Sequence, residues 1–175
     1  MIPKINKVLF TTDLSQNSRY AFNYAVSIAN RFKATITILH VMEDVSHSAD
    51  VRLKNFLGDE RWRELKSSQE QEARQILIGK KREGAVIREA LGEFCEKMKA
   101  DLAEIDISPD DIVVARGNVV DEILTEARNR NCDLIVMGYY VRGKLEEAVL
   151  GSTTRRLLRR SKIPVMLVQL ANDDH

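Results

Sequence analysis

"DLIVMGYYVRGKLEEAVLGSTTRR" (133–156) runs from an apolar, β-rich segment through three glycines into a basic helical one. Leu134–Met137 is continuously apolar, the pattern of a strand covered on both faces of a sheet. Gly138 follows Met137 at the end of that run, and its missing side chain lets the backbone come close to a ligand. Gly151 is followed by Ser152, Thr153 and Thr154, then by Leu157 and Leu158 and a basic end. A helix starting there offers unpaired backbone N–H groups, with the Ser152 and Thr153 hydroxyls, to an anion. The same residues also make an ordinary Ser/Thr helix start. Alone, the stretch reads either as a phosphate cradle or as a strand-to-helix turn.

Outward from it, "KVLFTTD" (7–13), "ATITILHV" (34–41), "DIVVARG" (111–117) and "IPVMLVQL" (163–170) also read as strands. Between them the apolar spacing is helical. After Ser15, a candidate N-cap, Tyr20, Ala21, Tyr24, Ala25, Ile28 and Phe32 form one predicted stripe. After Asn118, Val119, Val120, Ile123, Leu124 and Ala127 repeat the pattern, with Asp121 and Glu122 in the first turn, where the helix dipole favours negative charge. Strand and helix in alternation predict an α/β fold, a parallel sheet with helices on both faces.

Roughly seventy residues, Met42–Asp110, separate the second and third predicted strands, far more than a crossover needs. Ile87, Leu91, Phe94, Met98, Leu102 and Ile105 follow a helical period, and a more charged half before them carries Trp62. "GKKREG" (79–84) predicts a break, giving a helical hairpin or one long bent helix. This insert, about 43–110 of a single domain spanning 1–175, either offers Trp62 to a protein partner or covers one face of the sheet.

Ligands of open parallel sheets bind beyond the carboxyl ends of the strands, where the order reverses. Thr11, Thr12 and Asp13 end the first strand, His40 and Val41 the second, Met137 and Gly138 the fourth. Asp13 can accept hydrogen bonds from a nucleoside, or can form an Asx turn within "TDLS".

Charged residues make up 30% of the 175 and leave a formal charge of +1, which gives no drive toward nucleic acid or an anionic membrane. No apolar run is long enough to span a bilayer, and "MIPKINK" is not a secretory signal, so a soluble, cytoplasmic protein is expected. Cys95 and Cys132 read as buried thiols. His40 reads as packed, and no catalytic or metal-binding set is recognisable.

"KVLFTTDLSQNSRYAFNYAVSIA", "ITILHV" and "MGYYVRGKLEEAVLGSTTRRLLRRSKIPVMLV" together resemble the universal stress protein family over nearly all of the chain except its middle. The resemblance implies an open five-stranded parallel sheet of order 3-2-1-4-5, adenine nucleotide alpha hydrolase-like, in a stress-response homodimer. One branch of that family binds ATP through glycine, two residues, glycine, nine residues, glycine, then serine or threonine. Gly138, Gly151 and Ser152 match the first glycine, the third glycine and the hydroxyl, and Asp13 and Val41 match positions at the nucleoside end. Val141 stands where the second glycine belongs, with Gly143 two places later. Valine is strained at positive φ and would crowd a phosphate, whereas a loop that bends at Gly143 would spare it. Arg142 adds a phosphate partner. The implied ligand is ATP, ADP or AMP, with or without magnesium. The alternatives are an interaction module with a degenerate loop and a slow ATP hydrolase.

Arg155, Arg156, Arg159 and Arg160 form one helical stripe, which can touch phosphate or simply face solvent. The last strand, 163–170, is predicted at the sheet edge. There a second copy can pair with it in a symmetric homodimer, or the tail "ANDDH" can protect it.

Overall fold

The computed structural model describes residues 2–15, 17–43, 70–98, 107–142 and 149–170. Their order is β1 (Lys7–Thr12), α1 (Ser18–Phe32), β2 (Thr35–Glu43), α2 (Glu70–Met98), β3 (Ile112–Gly117), α3 (Val119–Asn129), β4 (Leu134–Arg142), β5 (Val149–Leu150), α4 (Ser152–Arg160) and β6 (Val165–Leu170). The parallel strands lie in the order β3-β2-β1-β4-β6. This is the expected 3-2-1-4-5 arrangement, with the two-residue β5 added antiparallel on the tip of β4.

Side chains alternate strictly across the sheet, as the two-residue period of a strand requires. Val8 and Phe10, Ile36 and Ile38, Leu134 and Val136 point to one face, where α1 supplies Ala21, Phe22, Ala25 and Ala29 and α2 supplies Leu91 and Cys95. Leu9, Leu39, Ile135 and Met137 point to the other, against Val120, Ile123 and Ala127 of α3 and Leu157 of α4. Helices thus cover both faces, as the apolar runs predicted. Cys95 and Cys132 are both buried, as expected. Burial pushes the Cys132 thiol above its ordinary pKa.

Several local expectations are corrected. β2 and β4 run past their predicted ends at Val41 and Gly138, because the extra residues find backbone partners: Glu43 lies opposite Gly117, Tyr140 opposite Leu170, and Val141 opposite Leu150. The predicted stripe on α1 is rotated. Ala21, Ala25 and Ala29 bring the helix close to the sheet with Phe22 and Val26, while Tyr20, Tyr24 and Phe32 stay exposed. Tyr20 and Tyr24 meet edge to face at 5.2 Å, their hydroxyls 3.1 Å apart. The N-cap of α1 is Asn17 rather than Ser15, although Ser15 Oγ and its carbonyl both accept the Ser18 N–H.

No break occurs at 79–84; α2 is one continuous helix through Gly79 and Gly84. Each glycine costs a helix only about 1 kcal/mol, and burial of Leu91 and Cys95, with Ile87 and Phe94 packed beside them, offsets that. This half of the insert covers one sheet face. Trp62, Leu102, Ile105 and the tail 171–175 lie outside the described residues. No described helix is long and apolar enough to cross a membrane.

Asn118 caps α3, its Oδ1 accepting the N–H groups of Val120 at 3.1 Å and Asp121 at 3.3 Å. Asn118→Ala should therefore lower the unfolding free energy by about 0.5–2 kcal/mol in urea titrations, and Asn118→Asp should retain it.

Candidate functional site

The sheet order reverses between β1 and β4, and there the strand ends open into a cavity of about 430 Å³. Thr12 and Asp13 come from the end of β1, Val41 from β2, and Met137 and Gly138 from β4. Gly151, Ser152 and Thr153 come from the start of α4. Arg142 is placed by its backbone alone, at the end of β4 opposite Val149. Gly143 lies outside the described residues.

The tip of β1 is tied down by its own hydroxyl and carboxylate. Thr12 Oγ1 donates to Ser18 Oγ at 3.0 Å and accepts the Leu14 N–H at 3.0 Å. Asp13 Oδ1 accepts the Ser15 N–H at 3.0 Å, so Asp13 forms the Asx turn and also lines the cavity. Both readings of that residue hold together. His40 lies opposite Thr12 across the strands, and its Nδ1–H donates to the Thr12 carbonyl at 2.9 Å. A carbonyl only accepts, so this bond fixes the proton on Nδ1. His40 is half-buried and lines the cavity, a place that its position inside an apolar run concealed.

The two matched glycines have different physical origins. A Cβ on Gly138 would stand 2.5 Å from Leu170 Cδ1 and 2.9 Å from its Cγ. Leu170 is buried, so a side chain at 138 fits only if Leu170 shifts, and packing between β4 and β6 favours that glycine. Gly151 has φ −54°, which any residue adopts, and no atom lies within 4 Å of a Cβ placed on it. Among the described residues nothing in the fold requires this glycine. The Arg155 N–H bonds to the Gly151 carbonyl. No side chain caps α4, and the N–H groups of Ser152, Thr153 and Thr154 have no acceptor among the described residues.

Val141 is extended and paired with Leu150, and it is not among the described residues with positive φ. The strained-backbone objection to valine here therefore does not apply. After Gly138 the chain continues β4 as far as Arg142, and Val141 and Arg142 pair antiparallel with Leu150 and Val149.

The cavity lining is part polar and part apolar. Asp13 and Glu43 bring carboxylates to it from the ends of β1 and β2, and Gly151, Ser152 and Thr153 bring the start of α4. Leu39, Val41, Met137 and Ile123 form an apolar floor. Neither Leu39 and Glu43 nor Val119 and Ile123 of α3 was singled out as a site residue by the sequence reading. The signal available for α3 was its start directly after the strand end Gly117–Asn118. Among the described residues no group of His, Cys, Asp or Glu could hold a metal ion.

The sequence profile of the universal stress protein family matches residues 4–169. Universal stress protein MJ0577 of Methanocaldococcus jannaschii is 24% identical over 95% of this chain and 96% of its own. Universal stress protein YxiE of Bacillus subtilis is 27% identical over 94% of this chain and 99% of its own. Among solved structures, that of MJ0577 superposes with a TM-score of 0.55 at 22% identity, covering 98% of this chain and all (100%) of that one. A universal stress protein in complex with cAMP superposes with a TM-score of 0.57 at 21% identity, over 97% of this chain and 100% of that one.

The contrast between the glycines is directly measurable. Gly138→Ala should destabilise the fold by about 1–3 kcal/mol, and Leu170→Ala in the same chain should remove most of that clash. Gly151→Ser should leave stability unchanged or slightly raised, since it adds a cap in open space.

Proposed function

The chain belongs to the universal stress protein family, and on that premise we propose that it binds an adenine nucleotide in the strand-tip cavity and acts through it in a stress response. One observation carries this reading: carboxylate acceptors, an apolar floor and the start of a helix all line a single cavity. A nucleotide has the matching groups. Its amino and hydroxyl donors meet Asp13 and the Thr12 region, its base lies over Val41 and Met137, and its phosphate meets the N–H groups and hydroxyls of Ser152 and Thr153. Arg142, at the end of β4, is a further phosphate partner. A volume of about 430 Å³ lies within the range of small-molecule sites. The universal stress protein crystallised with cAMP has the same fold, which supports the nucleotide class.

Val141 in place of a second glycine favours nucleotides with fewer phosphates than ATP. Magnesium enters this reading only as a companion of a polyphosphate. The protein works as one cytoplasmic domain, 1–175, and as a homodimer through β6. That strand pairs only with β4 among the described residues, leaving one edge for a second copy. Both faces of β6 already pack within the chain, Met166 and Val168 on one side and Val165 and Leu167 on the other. A partner would therefore bond to its backbone edge. A second reading, a nucleotide-free interaction module, is favoured by Val141, which stands in the β4–β5 pairing where the motif has a glycine.

Protein purified under native conditions and then denatured should release a species absorbing near 260 nm that co-elutes with an adenine nucleotide. Equilibrium dialysis should show saturable uptake of AMP or ADP, weakened about tenfold or more by Asp13→Ala and by Gly151→Val. Val141→Gly should strengthen ATP binding relative to AMP. No uptake of any of these at millimolar concentration would leave the interaction module as the function.

A further inference from the structure

On the opposite face of the sheet a second, larger cavity of about 760 Å³ opens between the β1–α1 connection and α2. Its floor is core: Phe10, Ile38 and Leu91 are at most 6% exposed. Ile87, Ala90 and Phe94 of α2 form a wall. At its mouth stand Leu14 and Val86, 44% and 62% exposed, two apolar side chains left in water beside an apolar space.

Leu14 carries a second anomaly. Its φ is +66°, a conformation that costs a non-glycine residue about 1–3 kcal/mol. Asparagine or glycine is usual at such a turn position. The hydrogen bonds of Thr12 Oγ1 and Asp13 Oδ1 hold the turn. As a result, consecutive residues serve opposite cavities: Asp13 lines the strand-tip cavity and Leu14 the larger one. Thr12 and Ser18 line both, so their hydrogen bond of 3.0 Å is part of the partition.

Among the described residues one cation lines this second cavity. The Arg19 guanidinium lies 5.1 Å from the centroid of the Phe94 ring, and both residues line the space. Arg19 makes no ion pair among the described residues, and no described carboxylate lines the cavity. Ser15 and Asn17 supply hydrogen-bonding groups beside it.

We propose that this cavity is a second ligand site, for a small amphipathic anion whose carboxylate meets Arg19 and whose alkyl body lies over Phe10 and Leu91. A polyanion would find a single cation among the described lining residues. A neutral apolar molecule would cover the guanidinium without pairing it. A medium-chain carboxylate satisfies both, and it removes Leu14 and Val86 from water as it binds. The site shares a wall with the nucleotide cavity but does not depend on nucleotide binding.

Calorimetric titration of the full chain with decanoate, with decanol as the uncharged comparison, tests this. Decanoate should bind saturably at one site and more tightly than decanol. Arg19→Gln should weaken decanoate about tenfold and erase its advantage over decanol. Ala90→Trp, at an exposed position on α2, should put an indole into the space the alkyl body needs and block binding while far-UV circular dichroism stays unchanged. If that variant is not folded, Val86→Trp takes its place. Absence of saturable decanoate binding overturns the proposal. So does decanol binding as tightly as decanoate, or decanoate binding that survives a folded Trp variant.

Discussion

β1 has water on neither face and a strand on each side, and this one constraint organises the molecule. Val8, Leu9 and Phe10 are at most 2% exposed, and their backbone pairs with β2 and β4 at once. A strand so enclosed must end where its neighbours' connections diverge. β2 leads through the long insert to the β3 edge, and β4 leads to α4 and the β6 edge. The crevice is the necessary gap between those two directions, and the residues that leave β1 fall into it. Thr12–Ser15 therefore have two tasks. They must satisfy the backbone of an abrupt exit, which the Thr12 and Asp13 side chains do, and they set which side chains reach each cavity.

How much of this was legible in the sequence depends on how local each cause is. Strand identity and two-sided burial were readable because the apolar runs are continuous and short. Strand order required the family resemblance, since nothing in the composition of β1 states that β4 lies beside it. The α1 stripe misled because Tyr20, Tyr24 and Phe32 are apolar at the right spacing. Close approach to a sheet selects small residues, and Ala21, Ala25 and Ala29 took the inner face. At 79–84 the local preference of two glycines was real but small, and burial of Leu91 and Cys95 further along the helix outweighed it. Eight of the nine candidate site residues line the cavity; for Arg142 only the backbone is placed. His40 was underread because a histidine inside an apolar run is ordinarily packing, and only the register opposite Thr12 reveals its bond to the strand tip.

The glycine pattern is a mixture of fold and function that no single sequence can separate. Gly138 is fixed by Leu170, thirty-two positions away along the chain and adjacent only through the β4–β6 register. Gly151 has no such neighbour and no special backbone angle. A motif that treats the two alike is correct about position and silent about cause. The same distinction bears on Val141. The position matched to the second glycine is here an ordinary extended residue in a two-stranded pairing, so the local backbone tolerates valine without strain. Any effect of that valine on a ligand must come through space and not through conformation.

The way α4 is anchored explains how its start can remain unsatisfied. Nine residues make a helix too short to persist alone in water. Its attachments lie away from its start. Leu157 is fully buried against the α3 side of the core. The Ser161 N–H closes on the Leu157 carbonyl at 2.8 Å, and Ser161 Oγ donates to the Ile163 carbonyl at 2.6 Å. Arg160 pairs with Asp121 of α3 at 2.6 Å, but both side chains are half exposed, so the pair adds at most about 1 kcal/mol. Arg159 and Arg160 also stand where the helix dipole favours positive charge. Packing holds the far end, where the dipole favours the basic residues. The first turn keeps N–H groups that have no acceptor among the described residues, because the contacts that anchor this helix lie beyond it.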